Sequence, residues 1–356
     1  LFNTNLYLKS NTIYKFNSIK HLNFHKKYSS KLHHLRIGTV WNEKNAKPND
    51  FLFTTLVNFS NKKKNILFQG DSWAGQLTNK EREKYYLAKD YVIDFSLRKN
   101  LGFINAGINS YSPTLMKLQL EVLNKDFQIN PDIIIAYIDQ TDIGDENCRY
   151  KNNRILKNGK VIAVKEESFS GNPFDYSKIY GESEIILNKK NNLLKVITLA
   201  NYRFYYSYKK LTNKFSTKLQ KQDKKISKCY WPDIQRYLAD SSEKELNYFK
   251  KSIISYVNYA LSNDDLKKLI LVTFPHKNHL NYIENQTIYK NNVSDIVGEI
   301  NFSSNKVFHL NFTELIKNKK ILIDNKTYYQ NDPASHLADE FYSDVFIKKI
   351  MNNILD

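Results

Sequence analysis

The sequence predicts an α/β protein in which helices cover both faces of a parallel sheet. Short apolar runs of strand length alternate with stretches of helical periodicity from about residue 61 onward, and repeated strand–helix units form parallel sheets. One run, residues 133–138, is apolar on both faces, which is typical of a strand in the middle of a covered sheet. The chain of 356 residues is long enough to bury a substantial core.

Residues 1–60 are predicted to form an irregular N-terminal arm packed on the main domain, because they are rich in Asn, Lys, His and aromatic residues without clear periodicity. The main α/β domain is expected to span residues 61–356. Its first half should contain three strands and two helices. In chain order these are a strand at 64–69, a helix at 72–99, a strand at 101–105, a helix at 113–127 and a strand at 133–138.

The strand–helix alternation stops between about residues 145 and 240, which predicts an insertion. Asn158-Gly159 is a tight-turn signal, so residues 154–164 should form a hairpin, and residues 188–225 should be helical. The alternation then resumes, because Ser242 has capping-box spacing to Glu245. The expected elements are a helix to about residue 261, strands at 268–274 and 305–310, and a terminal helix at 338–355.

The composition limits the functional classes. The net charge of +18 comes mostly from scattered lysines, which favours a solvated basic surface over a nucleic-acid site, and an acidic glycan remains open as a partner. No cofactor and no metal site is expected. Cys148 and Cys229 are expected to be free thiols, with a single disulfide between them as the alternative. The chain starts at Leu1 rather than Met. An earlier signal or anchor segment, membrane association and the compartment (cytoplasm or cell envelope) therefore stay open.

Candidate chemistry lies where apolar runs end, because ligands of parallel α/β sheets bind at the carboxyl ends of strands. Ser72 follows the first such run, in Gly70-Asp71-Ser72. A serine nucleophile needs a base, and His336, with Asp332 four residues upstream, is the histidine best placed by context. Two simpler interpretations remain: Ser72 or Asp71 only caps a helix, and Asp332 and His336 are surface loop residues.

The ordered set of Gly70-Asp71-Ser72, Gly107 after the second strand, a polar turn after the third, and the Asp332/His336 pair resembles the SGNH (GDSL) hydrolase superfamily. The resemblance implies a flavodoxin-like three-layer fold and acyl hydrolysis or transfer. It assigns Ser72 as nucleophile, His336 as base and Asp332 as the group that orients the imidazole. The amides of Ser72 and Gly107 would form the oxyanion hole, although Gly107 also suits a turn.

The chain departs from this family at two points. Thr141 occupies the position of an oxyanion asparagine, with Gln140 one residue earlier, so either side chain is a candidate third donor, or the stretch is only a polar loop. The Asp332–His336 spacing is four residues rather than three. Asn109, with Ser110 beside it, and His276 are expected to line the substrate site.

These observations predict a serine esterase or O-acyltransferase that acts on O-acyl esters, with O-acetyl groups of a carbohydrate as the favoured substrate. Three alternatives remain: an esterase for lipids or short acyl chains, a degenerate glycan-binding protein without activity, and a binder of anionic polymers.

Overall fold

The computed structural model describes residues 16, 18–32, 47–78, 86–164, 176–188, 192–217, 237, 240–280, 292–324 and 326–354. Eight strands lie in these ranges: β1 (Thr54–Val57), β2 (Lys64–Gly70), β3 (Leu101–Gly107), β4 (Ile133–Tyr137), β5 (Arg154–Lys157), β6 (Lys160–Val164), β7 (Lys268–Thr273) and β8 (Val307–Asn311).

Six of the strands form one central sheet in the order β1-β3-β2-β4-β7-β8, and β5 and β6 form a separate antiparallel hairpin. Strand β1 is antiparallel to β3, and the other neighbours in the central sheet are parallel. Counted along the chain, the five parallel strands have the order 2-1-3-4-5, which is the flavodoxin-like order. The predicted fold class is therefore confirmed.

The helices in the described ranges differ widely in length. In chain order they are α1 (Ile19–Ser29), α2 (Ser72–Gly75), α3 (Tyr86–Arg98), α4 (Pro113–Phe127), α5 (Asp142–Gly144, continued by a π-helical segment Asp145–Tyr150), α6 (Tyr176–Asn188), α7 (Asn192–Thr217), α8 (Glu243–Leu261), α9 (Val293–Gly298), α10 (Phe312–Lys317), α11 (Asp339–Phe341, continued by a π-helical segment Tyr342–Ile347) and α12 (Lys348–Asn353). Among these described helices, none has the length and hydropathy needed to cross a membrane.

Side-chain alternation along the strands divides the core into two layers. On β2, Leu67 packs with the cluster that includes α4 and α8, whereas Ile66 and Phe68 face the cluster formed by α3 and the C-terminal helices. Strand β4 alternates in the same way and is buried at every position. Successive strand side chains point to opposite faces of the sheet, so an all-apolar strand requires helices on both faces. The structure has a helical layer on each face.

Several predicted elements are confirmed. The hairpin turns at Asn158 and Gly159, both with positive φ (51° and 73°), as a tight two-residue hairpin turn requires. Ser242 and Glu245 form the capping box at the start of α8. The predicted helix over 72–99 is wrong as one element, because α2 is followed by a 3₁₀ turn at Gln76–Thr78 and α3 begins at Tyr86.

The arm and the insertion contain structure that the sequence did not reveal. Residues 54–57, within the predicted arm, form the edge strand β1 of the central sheet. Tyr180 of α6 is hydrogen-bonded to His25 and Ser29 of α1, so α1 contacts the predicted insertion. Residues 189–191 and 218–225 of the predicted helical stretch lie outside the described residues. The division of the chain into arm, domain and insertion stays a prediction.

Cys148 is disulfide-bonded, so the expectation that it is a free thiol is wrong. Cysteine spacing alone does not report which thiols meet in space, and two cysteines so far apart in sequence gave no pattern. Cys229 lies outside the described residues.

Two glycines allow the first helical turn after β2 to lie against the strand ends. Gly70 has a φ of +149°, and a Cβ added there would lie 2.9 Å from Tyr137 Cβ. A Cβ at Gly107, which is the register partner of Gly70, would lie 2.3 Å from Gly75 N and 2.4 Å from Ala74 C. Because these are backbone atoms of α2, a side chain at position 107 would push α2, and Ser72 with it, away from the sheet.

We therefore expect Gly107→Ala to lower the free energy of unfolding by about 1–3 kcal/mol, because it overpacks the contact between β3 and α2. Gly298→Ala is the matched control, since the nearest atom to its new Cβ is 4.0 Å away, and its effect should stay within about 0.5 kcal/mol. Urea unfolding measures both. Equal effects of the two substitutions would contradict the close approach at Gly107.

Candidate active site

The turn after β2 presents Ser72 at the start of α2. Asp71 is the N-cap residue of this helix, and its Oδ1 accepts the Trp73 N–H at 2.9 Å. Asp71 therefore fills the capping role that the sequence left open between Asp71 and Ser72. The Ser72 hydroxyl is not needed for capping and is only half-buried.

Ser72, His336 and Asp332 form one chain of hydrogen bonds. His336 Nε2 lies 2.6 Å from Ser72 Oγ, and His336 Nδ1 is hydrogen-bonded to Asp332 Oδ2. The side chains of His336 and Asp332 are 18% and 17% exposed, so the pair lies at the rim of the sheet and not in its core. The structure thus brings together the three residues that the sequence singled out.

The loop of residues 332–336 explains how a four-residue spacing still aligns the pair. The Asp332 carboxylate accepts the Ala334 N–H at 2.9 Å and the His336 N–H at 3.2 Å, in addition to its bond with the His336 ring. Ser335 has a φ of 59°, and this left-handed residue turns the chain so that position 336 faces back toward position 332. One carboxylate therefore binds both the backbone and the ring of His336.

The Asp332 carboxyl has a lower pKa in this site than an ordinary aspartate. Burial alone would raise the pKa of its carboxyl, but the hydrogen bond and charge of His336 and the two backbone N–H donors outweigh burial and lower the pKa to about 2. Hydrogen bonds to the ionised form favour that form. Asp332 is therefore a carboxylate at neutral pH, and it accepts the hydrogen on His336 Nδ1, which directs Nε2 toward Ser72.

Side chains from two other elements hold this loop by its carbonyl groups. From the turn that carries Ser72, Trp73 Nε1 donates to Ala334 O at 3.3 Å, and Gln76 Nε2 donates to Leu337 O at 3.1 Å. The turn that carries Ser72 is therefore hydrogen-bonded to the loop that carries His336. No sequence pattern predicted these contacts of Trp73 and Gln76, because their partners lie 261 residues away along the chain.

The turn after β7 holds the loop from the other side. His276 Nε2 lies 3.2 Å from Pro333 O, and Lys277 Nζ donates to Asp332 O at 2.6 Å. His276 Nδ1 accepts the Asn278 N–H at 3.3 Å, so the imidazole donates from Nε2. Burial lowers the pKa of His276, which is consistent with this neutral form. The side chain is 1% exposed.

His276 was expected to contact substrate, and these contacts give it a different position, beneath the loop and within the protein. Asn109 is exposed, and Ser110 beside it has a φ of 60°. The Ser110 hydroxyl accepts from Arg149 at 2.8 Å. No described contact joins Asn109 to Ser72 or His336, so the substrate role of Asn109 stays a prediction.

The other candidate oxyanion groups make hydrogen bonds within the protein. The Gly107 N–H donates to Asn105 Oδ1 at 3.1 Å. The Thr141 hydroxyl donates to Asp139, and the Gln140 side-chain oxygen accepts the Val293 N–H at 2.8 Å. In this arrangement none of these three hydrogen bonds is directed at Ser72. The Ser72 N–H differs, because an amide in the first turn of a helix has no acceptor within that helix.

Four buried carboxyl groups lie in the turn that carries Ser72 and in the segment after β4, and the sequence did not predict their burial. Asp71, Asp139, Asp142 and Asp145 are each at most 2% exposed. Burial, followed by the nearby Asp139, raises the pKa of Asp71 well above its ordinary value, and burial with Asp71 and Asp139 does the same for Asp142. Burial raises the pKa of Asp145 to about 7, although Arg149 opposes it. Like charges so close in a low-dielectric interior favour protonation.

Among the described residues, no group of three or more His, Cys, Asp and Glu side chains is arranged to hold a metal ion. His276 and His279, which are three residues apart, are both buried, with ring centroids 5.8 Å apart. His276 uses both ring nitrogens in the bonds described above.

No protein-family model and no curated protein matches the chain. Among solved structures, a catalytic mutant of an acetylxylan esterase from Geobacillus stearothermophilus aligns with a TM-score of 0.40 and 11% sequence identity, over 83% of this chain and 96% of that one. So weak a similarity assigns neither a family nor a reaction. The function is therefore inferred from the geometry of the site.

The low pKa of Asp332 makes its contribution to stability depend on pH. A carboxyl whose pKa is lower in the folded chain (about 2) than in the unfolded chain (about 3.9) stabilises the fold above the unfolded value, and this contribution is lost as the pH falls through the folded value. We expect Asp332→Asn to be most destabilising at neutral pH. Its difference from wild type should shrink from about pH 4 downward.

Urea unfolding at a series of pH values measures this difference, with the exposed Asp240→Asn as the control. The control should change the unfolding free energy by less than about 0.5 kcal/mol throughout. A destabilisation by Asp332→Asn that is equally large at every pH would mean that the carboxylate charge does not contribute.

Proposed function

We propose that the protein is a serine ester hydrolase or O-acyltransferase that acts on O-acyl esters. The observation that carries this proposal is the continuous hydrogen-bond chain from the Ser72 hydroxyl through the His336 ring to the Asp332 carboxylate. Nucleophile, base and orienting acid within hydrogen-bond reach are the arrangement that activates a serine. A surface loop without a catalytic role would not require Asp332 and His336 to be aligned with the Ser72 hydroxyl.

In the proposed reaction, Ser72 Oγ attacks the acyl carbonyl carbon while His336 Nε2 takes the hydroxyl proton. When the tetrahedral intermediate collapses, the bond to the leaving alcohol breaks, and His336 returns the proton to the leaving oxygen. Water or an acceptor hydroxyl then attacks the acyl carbon while His336 takes its proton. The bond between Ser72 Oγ and the acyl carbon breaks, and His336 returns the proton to Ser72 Oγ. Asp332 stabilises the imidazolium that forms in each half-reaction.

The negative oxygen of the intermediate needs donors already in place, each worth about 3–4 kcal/mol. We assign the Ser72 N–H as one donor, since it lies beside the attacking oxygen and in the first turn of α2. The Gly107 N–H and the Thr141 hydroxyl are further candidates only if they exchange the acceptors that they have in this structure. The Gln140 side-chain amide is a candidate through its N–H, since its bond to Val293 uses the side-chain oxygen. Catalytic hydrogen bonds often tighten only when substrate is bound.

We propose O-acetyl groups of a carbohydrate as the substrate class. A cavity of about 500 Å³ is lined by Lys151, Lys244, Lys251, Asn247, Tyr248 and Glu243. Its lysines supply positive charge and its asparagine supplies an amide, whereas the Tyr248 ring already has Lys151 Nζ 4.7 Å and Arg154 Cζ 4.9 Å from its centroid. These groups suit an acidic sugar, and the net charge of +18 would raise the local concentration of such a polymer.

A glycan-binding protein without catalytic activity is the second candidate. It is favoured by one observation, the engagement of Gly107 and Thr141 with Asn105 and Asp139, which leaves the oxyanion hole short of donors. The two candidates differ in whether the Ser72 hydroxyl is required for turnover.

Ser72→Ala should reduce kcat/KM for a short-chain aryl acetate by about 10³-fold or more, because no other group in the site replaces the nucleophile. The exposed Ser262→Ala is the matched control and should retain wild-type activity. Hydrolysis is followed by release of the aryl alcohol. Equal rates for wild type and Ser72→Ala would remove Ser72 from the mechanism and favour the binding protein.

His276 is proposed as a positioning residue that acts through the Pro333 carbonyl. His276→Phe removes the donor to Pro333 O and should lower kcat about tenfold while KM changes little, since the His336 ring loses its alignment but substrate contacts remain. His276→Gln retains a side-chain N–H and should recover most of kcat. If Phe and Gln variants lose the same activity, or if KM rises instead, His276 does not act by donating to Pro333.

A further inference from the structure

Helix α7 exposes large apolar side chains along one face. It is 26 residues long, about 39 Å at the usual helical rise. Five of its apolar side chains are at least half exposed: Leu193 (59%), Ile197 (50%), Phe204 (78%), Tyr205 (61%) and Tyr208 (61%). Large apolar side chains exposed in such a group mark an interaction surface more often than chance, whereas single ones need no explanation.

The spacing places these side chains on one side of the helix. Ile197, Phe204 and Tyr208 are seven and four residues apart, which is the repeat of a single helical face, and Tyr205 lies beside them. Leu193 (59% exposed) and Leu194 (47% exposed) extend the same face toward the start of the helix. The opposite face packs inward, since Leu199 is fully buried. We call the face of Leu193, Leu194, Ile197, Phe204, Tyr205 and Tyr208 the α7 stripe.

The charge of the helix narrows the choice of partner. Residues 192–217 contain four lysines and one arginine but no aspartate or glutamate. Arg203 is paired with Glu182 of α6, and Lys209, next to Tyr208, is exposed. A helix with an apolar face and only positive charges suits the interface of an anionic lipid bilayer.

Two other occupants fit less well. A sugar chain binds to aromatic rings, but the leucine and isoleucine half of the α7 stripe offers it little. A second copy of this chain would bring two helices without any acidic residue side by side, and like charges on paired helices are destabilising. Aliphatic and aromatic side chains together with lysine are the combination that an acyl-chain and headgroup boundary accepts.

We propose that the α7 stripe docks on the surface of an anionic lipid bilayer, with its apolar side chains in the headgroup region and its lysines near the lipid charges. This inference is independent of the proposed ester chemistry. It concerns where the protein is held, and neither Ser72 nor His336 takes part.

The test is cosedimentation of the full chain with vesicles of phosphatidylcholine alone and of an equal mixture of phosphatidylcholine and phosphatidylglycerol. The variant Ile197→Ser/Phe204→Ser/Tyr208→Ser removes the centre of the α7 stripe. The matched control, Leu87→Ser/Leu97→Ser/Leu322→Ser, removes three exposed leucines elsewhere (60%, 55% and 79% exposed). Circular dichroism and urea unfolding establish that each variant is folded.

We expect wild type and control to bind the mixed vesicles, with weaker binding to phosphatidylcholine alone and in high salt. The α7 variant should bind the mixed vesicles at least about tenfold more weakly. The proposal is overturned by absent binding of wild type, or by equal binding of the two triple variants. It is also overturned if sedimentation velocity shows that wild type is a dimer and the α7 variant a monomer, since a second copy would then cover the stripe.

Discussion

The hydrogen bond between Ser72 and His336 joins residues that are 264 positions apart in the chain, and the rest of the site depends on it. It forms only if the end of the first parallel strand and the loop before the terminal helices meet at one rim of the sheet. In the flavodoxin-like arrangement the strand order reverses next to β2. The rim of the sheet at this point is where ligands of such folds bind. Gly70 and Gly107 allow the turn that carries Ser72 to lie directly against the strand ends.

The loop that carries His336 is held mainly through its backbone. Side-chain N–H groups from the turn that carries Ser72 and from the turn after β7 bind the carbonyl oxygens of the loop. These oxygens belong to Asp332, Pro333, Ala334 and Leu337. Since backbone carbonyls are present whatever the side chain, such a support does not depend on the side chains of the loop. The ring of His336 is aligned across the four-residue spacing by the Asp332 carboxylate, which binds the Ala334 N–H, the His336 N–H and the ring itself.

Much of the fold could be predicted from the sequence because it depends on local patterns, whereas Ser72, Asp332 and His336 were selected by the order of their motifs along the chain. Apolar runs that end in Gly-Asp-Ser, a hairpin turn at Asn158-Gly159 and the capping box at Ser242 are each readable within a few residues. What could not be predicted depends on partners that are distant in sequence. Gly107 was expected to serve as a turn or an amide donor, yet the structure shows a close contact with the backbone of α2.

The same limit applies to the polar groups behind the site. Thr141 and Gln140 were weighed by chemical type, but their hydrogen bonds to Asp139 and Val293 follow from the packing of β4 against its neighbours. The buried carboxyls of Asp71, Asp139, Asp142 and Asp145 read in sequence as ordinary polar loop residues. Whether a helix face such as that of α7 is covered likewise depends on which elements pack beside it, which periodicity alone does not specify.

The central claim is that His336 activates the Ser72 hydroxyl as a nucleophile. The most direct measurement is reaction of the intact protein with a serine-directed fluorophosphonate, followed by mass spectrometry to locate the label, on wild type and on His336→Ala. The account predicts a single label on Ser72 in wild type and greatly slowed labelling in His336→Ala. A label on another serine, or equally fast labelling of Ser72 without His336, would contradict it.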